Sequence, residues 1–268
     1  MNYRHGYHAG NFADVIKHLA EVAILTHLAK KEAPFAVIDS HAGRGLYDLG
    51  SEEALKTGEA ASGIQTLDGL SGSPLLDRYL SLTEEGGKQT YPGSPLIAAK
   101  LLRPQDRLVA VEKHPEEAEA LKKSLSPWRK ARVEEGDGYA RLASLLPPAE
   151  RRGLVLIDPP FEAPDEFEQL GHAVRGALRR FATGIYLIWY PVKSDAAARA
   201  FEGEILMDAR KALKIEAAID APEGKLARAG VLVLNPPFGF AAAMEEALAK
   251  AAPLLKAKTR LIWLAGEE

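Results

Sequence analysis

The chain has 268 residues, 47% hydrophobic and 26% charged, which suits one large domain with room for a small insertion. It has no cysteine, which excludes disulfides and thiolate metal sites, and no apolar run long enough to span a bilayer. The net charge of −3 excludes bulk attraction to nucleic acid, so any such contact needs a local basic face.

The chain opens Met1-Asn2-Tyr3-Arg4-His5, without the pattern of an export signal, which predicts a cytoplasmic protein. Tyr3 to Asn11 is polar and aromatic with two glycines and reads as a loop. Asn11 suits a helix N-cap, and Asp14 is favourable in the first turn. Val15, Leu19, Val22, Leu25 and Leu28 then keep helical spacing, which predicts a helix to about Lys31 with one apolar face. Spacing alone makes Lys17 a solvated lysine and His18 a histidine flanking the core.

Phe35 to Asp39 is a short apolar strand running into Ser40-His41-Ala42-Gly43-Arg44-Gly45. A glycine turn after a first strand marks the crevice of an open α/β sheet, where cofactors bind. The dinucleotide fingerprint fails, because its third glycine would fall at Asp48, and no Lys-Ser or Lys-Thr follows to make a P-loop. A glycine turn beside an acid without a phosphate cradle suits a nucleoside cofactor lacking phosphates, of which S-adenosylmethionine is the common one.

Residues 46–91 interrupt the pattern with many glycines and read as a small, mostly helical insertion; Ser73-Pro74 has the chemistry of a helix start. The core resumes at Tyr91-Pro92-Gly93-Ser94-Pro95, where Ser94 is the expected N-cap and Pro95 the first residue of a helix to about Leu102. Regular alternation follows. Strands are predicted at Arg107 to Glu112, Ala131 to Glu134, Leu154 to Ile157 and Gly184 to Tyr190, with two late strands, Lys214 to Ile219 and Gly230 to Leu234, and a last one from Thr259 to Trp263. Helices are predicted at Pro115 to Leu125, Tyr139 to Leu146, Phe167 to Phe181, Ala196 to Leu213 and Ala241 to Leu255. This alternation predicts an α/β fold with a Rossmann-like, doubly wound, mostly parallel sheet.

The strand before Asp158-Pro159-Pro160-Phe161 must stop there, since neither proline has an N–H for the ladder. The stiff turn holds a carboxylate, carbonyls and a ring at the strand's end. A flat base with an exocyclic amine needs that combination. Glu112 can accept from both ribose hydroxyls of a nucleoside, and Asp137 from an adenine amino group, with Gly138 leaving room for the ring plane. The glycine turn, Glu112, Asp137 and Asp158 end successive strands, on one edge of a parallel sheet. Asn235-Pro236-Pro237-Phe238 repeats the pattern after a late strand. Sheet order favours Asp158, because a fourth strand lies beside the first and a later one farther out.

The order of motifs resembles class I S-adenosylmethionine-dependent methyltransferases, and Asp-Pro-Pro-Phe resembles their amino-methylating signature. The closer resemblance is to the bacterial 23S rRNA adenine-N6 methyltransferases. It is carried by Tyr3-Arg4-His5, His8-Ala9-Gly10-Asn11, Ala13-Asp14-Val15, Lys17-His18, Asp39 with His41-Ala42-Gly43, Tyr91 to Ile97, Arg151-Arg152-Gly153, Ile157 to Pro160, and Phe181 to Tyr186 with Trp189-Tyr190-Pro191. The family's usual tyrosine is Phe161 in this chain.

The resemblance implies methyl transfer from S-adenosylmethionine to an adenine N6 of 23S ribosomal RNA; the expectation for the chain is a monomer that needs no metal. It implies cofactor contacts from His18, His41, Ser94, Glu112, Asp137 and Gly138. It also implies that Tyr3, His5 and Lys17 close over the site and face the RNA. Asp158 would then be the catalytic proton acceptor, a carbonyl near Pro159 would help hold the amine, and Phe161 would stack on the base. Candidate phosphate contacts are Arg4, Lys122, Lys123, Arg129, Lys130, Arg132, Arg179 and Arg180. The rival readings are a DNA adenine methyltransferase, which lacks a sequence-reading domain here, and a non-catalytic nucleic-acid binder used in DNA uptake. Intact acids at the strand ends speak against the second.

Overall fold

The structure, a computed structural model, describes residues 4–87 and 89–267. Its first half holds α1 (Phe12–Ala29), β1 (Ala36–Asp39), β2 (Leu46–Asp48), α2 (Glu52–Thr57), α3 (Glu59–Ser62), α4 (Pro74–Glu84), β3 (Thr90–Pro92) and α5 (Ser94–Leu101). Then come β4 (Arg107–Glu112), α6 (Pro115–Leu125), β5 (Ala131–Glu135), α7 (Gly138–Leu145), β6 (Gly153–Ile157), α8 (Glu166–Arg180) and β7 (Ile185–Pro191). The chain closes with α9 (Asp195–Leu206), β8 (Ala212–Ala218), β9 (Arg228–Leu234), α10 (Phe240–Leu254) and β10 (Lys258–Ala265).

Among the described residues, eight strands form one sheet in the order β10-β8-β9-β7-β6-β1-β4-β5. β1 pairs in parallel with both β4 and β6, so the chain reverses direction across the sheet at β1. That is the switch point where an open sheet leaves a crevice above its strand ends. Asp39 is level with Leu156 and Ala110, so Asp158 and Glu112 each stand two residues beyond it; Glu112 is level with Glu135, two residues before Asp137. Side chains alternate across the pleat. Val37 and Leu187 face a layer that includes α1, α4, α5 and α10, while Ile38, Tyr186 and Ile188 face α7, α8 and α9. β6 is buried on both faces throughout, as its unbroken Leu-Val-Leu-Ile run requires.

The late strands depart from the parallel pattern. β9 runs antiparallel to β7 and β8, and β10 antiparallel to β8. Leu234 therefore lies opposite Tyr186, at the start of β7, and Asn235 leaves the sheet on the edge away from Asp158. Asp158 is the better placed of the two motifs, but β9 is the immediate neighbour of β7, and direction separates the twins more than distance does. The Asn235 side-chain N–H groups donate to the carbonyls of Ala182 (2.9 Å) and Gly184 (2.8 Å), which closes the turn into β7.

Other expectations are corrected by local hydrogen bonding. The helix expected to reach Leu213 stops at Leu206, because Ala212 and Leu213 pair with Leu234 and Val233 of β9 and are buried as strand. α5 is capped by Gly93 and not by Ser94, whose hydroxyl is engaged elsewhere. Residues 46–91 hold α2, α3 and α4, and β2 and β3 pair antiparallel where the excursion leaves and rejoins the sheet. No helix among the described residues is long and apolar enough to cross a membrane.

Replacing Asn235 with alanine removes two hydrogen bonds and puts alanine at a φ of 53° that asparagine tolerates better. The expected loss is about 1–3 kcal/mol in urea unfolding, with methyl transfer per folded molecule unchanged.

Candidate active site

A cavity of about 570 Å³ opens over the C-terminal ends of β1, β4, β5 and β6. Its wall above β1 is the turn Ser40 to Gly43. Gly43 has a φ of 63°, and a Cβ there would stand 2.2 Å from the Tyr47 hydroxyl, so the turn needs glycine. The Gly43 N–H donates to Glu112 Oε2 (2.8 Å) and the His114 N–H to Oε1 (2.7 Å). Both Glu112 oxygens are thereby fixed, and each keeps a lone pair for further donors.

Asp137 caps α7, where Oδ1 accepts from the Ala140 N–H at 3.2 Å, and Oδ2 pairs with the Lys113 ammonium at 2.9 Å. That lysine contact, with the cap, outweighs burial and holds the Asp137 carboxyl below its usual range. Gly138 follows. A Cβ on it would lie 2.0 Å from the Ser40 carbonyl oxygen, so α7 approaches the β1 turn as only glycine allows. His41 sits edge-on to Tyr139, 4.8 Å between ring centroids, and burial lowers its pKa to about 4, leaving it neutral. Asp39 is buried; its Oδ2 accepts from the Ser94 hydroxyl at 2.7 Å. Burial, reinforced by the nearby Asp158 charge and opposed by Ser94, raises the Asp39 pKa to about 7.

The Asp158 end is organised by α1. Lys17 is 4% exposed, and its ammonium donates to Asp14 Oδ1 at 2.8 Å and to Asp158 Oδ2. Burial alone would strip its proton, but the two carboxylates prevail and hold its pKa well above the ordinary lysine value. Asp14 Oδ2 also meets His5 Nε2 and the Gly10 N–H, each at 2.9 Å. Burial opposes the Asp14 charge, yet His5 and Lys17 keep its pKa well below normal. His18, next along α1, lines the cavity and accepts or donates at 2.6 Å with the Tyr91 hydroxyl.

Of the residues expected at the site, His5, Lys17, His18, His41, Ser94, Glu112, Asp137, Gly138, Asp158 and Pro159 all line this cavity. Tyr3 lies outside the described residues. Phe161 does not line the cavity: its ring packs edge-on against Phe167 (4.9 Å) and Trp189 (6.0 Å), and its backbone has a φ of 50°. Pro160, Tyr139 and Glu166 occupy wall positions there instead. First-turn capping chemistry does not reveal Asp14 as the Lys17 partner. Its i,i+3 spacing to Lys17 is the signal that would have revealed the pair.

The loop before α1 forms one 3-10 turn, His5–Tyr7, that lies on the excursion helices. His8 meets Glu59 at 3.0 Å, the Asn11 amide donates to Glu59 at 3.1 Å, and the Thr57 hydroxyl donates to the Tyr7 carbonyl. These contacts carry Arg4 and His5 to the cavity wall. Of the basic residues expected to meet phosphate, Arg4 alone is at the cavity. Lys122, Lys123, Arg179 and Arg180 end α6 and α8, and Arg129, Lys130 and Arg132 lie at the start of β5. In a parallel βαβ unit those positions fall on the far edge. Cations there complement the helix C-termini.

The Asp39 shift sets a pH dependence. With a folded-state pKa of about 7 against 3.8 unfolded, the native state holds the extra proton between those values, so stability falls as pH rises through that window. Asp39→Asn keeps an acceptor for Ser94 and removes this slope. Unfolding free energies at pH 5 and pH 7 are expected to differ by about 2–3 kcal/mol less in the variant than in the parent.

The family described as Ribosomal RNA large subunit methyltransferase D, RlmJ, matches residues 32–263. "Ribosomal RNA large subunit methyltransferase J" of Haemophilus influenzae is 41% identical over 257 residues, 92% of each chain. The protein of the same name from Escherichia coli is 39% identical over 256 residues, 92% of this chain and 91% of the other. A crystal structure of a Legionella pneumophila protein superposes with a TM-score of 0.90 at 32% identity, covering 97% of this chain and 99% of that one. On this match the chain belongs to the RlmJ family of ribosomal RNA large subunit methyltransferases.

Proposed function

We propose that the chain transfers a methyl group from S-adenosylmethionine to the N6 amino group of an adenine in 23S ribosomal RNA, as a cytoplasmic monomer. The whole chain serves as one methyltransferase domain, with residues 46–91 as its insertion. The observation that carries this reading is the state of Asp158. One carboxylate oxygen is tied to buried Lys17, while Oδ1 has no hydrogen-bond partner among the described residues and belongs to a cavity-lining group. A fixed acceptor beside a proline-stiffened turn is what an incoming amine requires.

The wall residues suit the cofactor. Glu112 is pre-aimed for two ribose hydroxyls, and Asp137 can accept from the adenine amine above Gly138. Glu112, Asp137 and Asp158 together present negative charge to a sulfonium. When bound, the cofactor supplies an electrophilic methyl group beside this carboxylate cluster.

The protein's own part is positioning and proton handling. Asp158 Oδ1 and a carbonyl of the Pro159 turn accept from the two N6 hydrogens, which turns the nitrogen lone pair out of conjugation and toward the methyl. Lys17 holds the carboxylate in that orientation. Methylated N6 carries positive charge and surrenders its proton readily to the carboxylate. Phe161, packed on Phe167 and Trp189, supports the turn; Tyr139, at the wall, offers an aromatic surface near the acceptor. Phosphate contacts fall to Arg4 and to Lys193 and Lys225, which follow β7 and β8 on the cavity edge. The relatives' name supports ribosomal RNA over DNA as the substrate.

Asp158→Asn should lower single-turnover methyl transfer to 23S rRNA by about 10²–10⁴-fold while leaving S-adenosylmethionine affinity, by calorimetry, within about threefold. Labelled methyl recovered on another base, or full activity in the variant, would sink the reading.

A further inference from the structure

Two tyrosines outside the cavity reach it through His18. Tyr79 on α4 and Tyr91 on β3 are fully buried, with hydroxyl oxygens 2.9 Å apart, and the Tyr91 hydroxyl lies 2.6 Å from His18 Nδ1. Tyr79 has no other hydrogen-bond partner among the described residues. His18 is 1% exposed, and its second ring nitrogen, Nε2, is buried without a partner. Burial, reinforced by Lys17, holds the His18 pKa well below the ordinary histidine value, so the ring is neutral.

Counting hydrogens decides the direction of this relay. Each tyrosine hydroxyl carries one hydrogen and the neutral imidazole carries one. If His18 donated from Nδ1 to Tyr91, one of the two tyrosines would be left with its hydroxyl hydrogen in the core and no acceptor for it. If Tyr79 donates to Tyr91 and Tyr91 donates to Nδ1, both hydroxyls are used, and the imidazole hydrogen resides on Nε2. Only the second arrangement strands no hydroxyl.

We infer that Tyr79 and Tyr91 are positioning residues that hold His18 as its Nε2–H tautomer, making it a neutral donor at the cavity wall for the carboxylate of the cofactor's amino-acid end. The tautomer stands on the relay alone; the ligand rests on the reading of the cavity as an S-adenosylmethionine site. The choice of ligand group follows from charge. Glu112, Asp137 and Asp158 are acceptors, and the nearby Lys17 ammonium is already engaged by two carboxylates. An anionic ligand group among them needs an N–H donor, and His18 Nε2 offers one without adding a second buried cation beside Lys17.

The test is a long-range ¹H–¹⁵N correlation spectrum of the uniformly labelled full-length protein, with His18 assigned by its disappearance in His18→Gln. A protonated Nε2 and a bare, hydrogen-bond-accepting Nδ1 are expected in the ligand-free protein. A protonated Nδ1, or an averaged pair, overturns the inference. Tyr91→Phe, which keeps the ring in the core, should shift His18 toward the Nδ1–H form and weaken S-adenosylmethionine binding about tenfold. Tyr79→Phe should keep the tautomer, since Tyr91 can still donate. An unchanged His18 signature in Tyr91→Phe overturns the positioning role. A correct tautomer in a protein that does not bind S-adenosylmethionine supports the relay and overturns the cofactor reading, so the two failures are distinct.

Discussion

The buried ammonium of Lys17 ties the molecule's function to its fold. It lies on the second turn of α1 and joins Asp14 of the same helix to Asp158 at the end of β6. A lone lysine at 4% exposure would be driven to lose its proton; two carboxylates reverse that. The arrangement is reciprocal for Asp14, whose charge in that buried place is supported by the cation. Its consequence is geometric. α1 is held at one angular setting against the sheet, and that setting presents Lys17 and His18 to the cavity together.

A second constraint is the direction of the strands. Parallel pairing of β6, β1, β4 and β5 brings Asp158, Asp39, Glu112 and Asp137 to one edge. The reversed β9 sends a nearly identical motif, Asn235 to Phe238, to the other. The same four-residue pattern thus closes a cavity at one end of the sheet and a turn at the other. In the first, an acid keeps an oxygen open; in the second, an amide uses both N–H groups on backbone carbonyls. The two motifs differ at their first residue, and strand direction gives each a different environment.

The segment between β2 and β3 has two connections to the site. Its short helices hold the N-terminal turn through Glu59 and Thr57, bringing Arg4 and His5 to the wall. Through Tyr79 and Tyr91 it touches His18 from behind. Packing of this region is close: a Cβ on Gly63 would lie 2.0 Å from the Gly10 carbonyl oxygen. Glycine there lets the two segments meet backbone to backbone.

The sequence by itself determined the alternation of strands and helices, the strand-end acids and the turn after β6, because these depend on local periodicity, proline chemistry and short-range capping. The matching N-terminal block added His5, Lys17 and His18, which spacing alone would have left as solvated or core residues. Only the tertiary structure decided the rest. Whether a late strand runs up or down depends on the edge it finds, so the antiparallel β9 and the far-edge place of Asn235 were not legible. Ser94 looks like a cap in one dimension and is an Asp39 partner in three. Phe161 looks like a stacking face until Phe167 and Trp189 claim its edge. Basic residues that seemed free for phosphate lie where helices end, opposite the cavity. In each case the competing partner comes from a distant part of the chain, and no local pattern encodes which partner arrives.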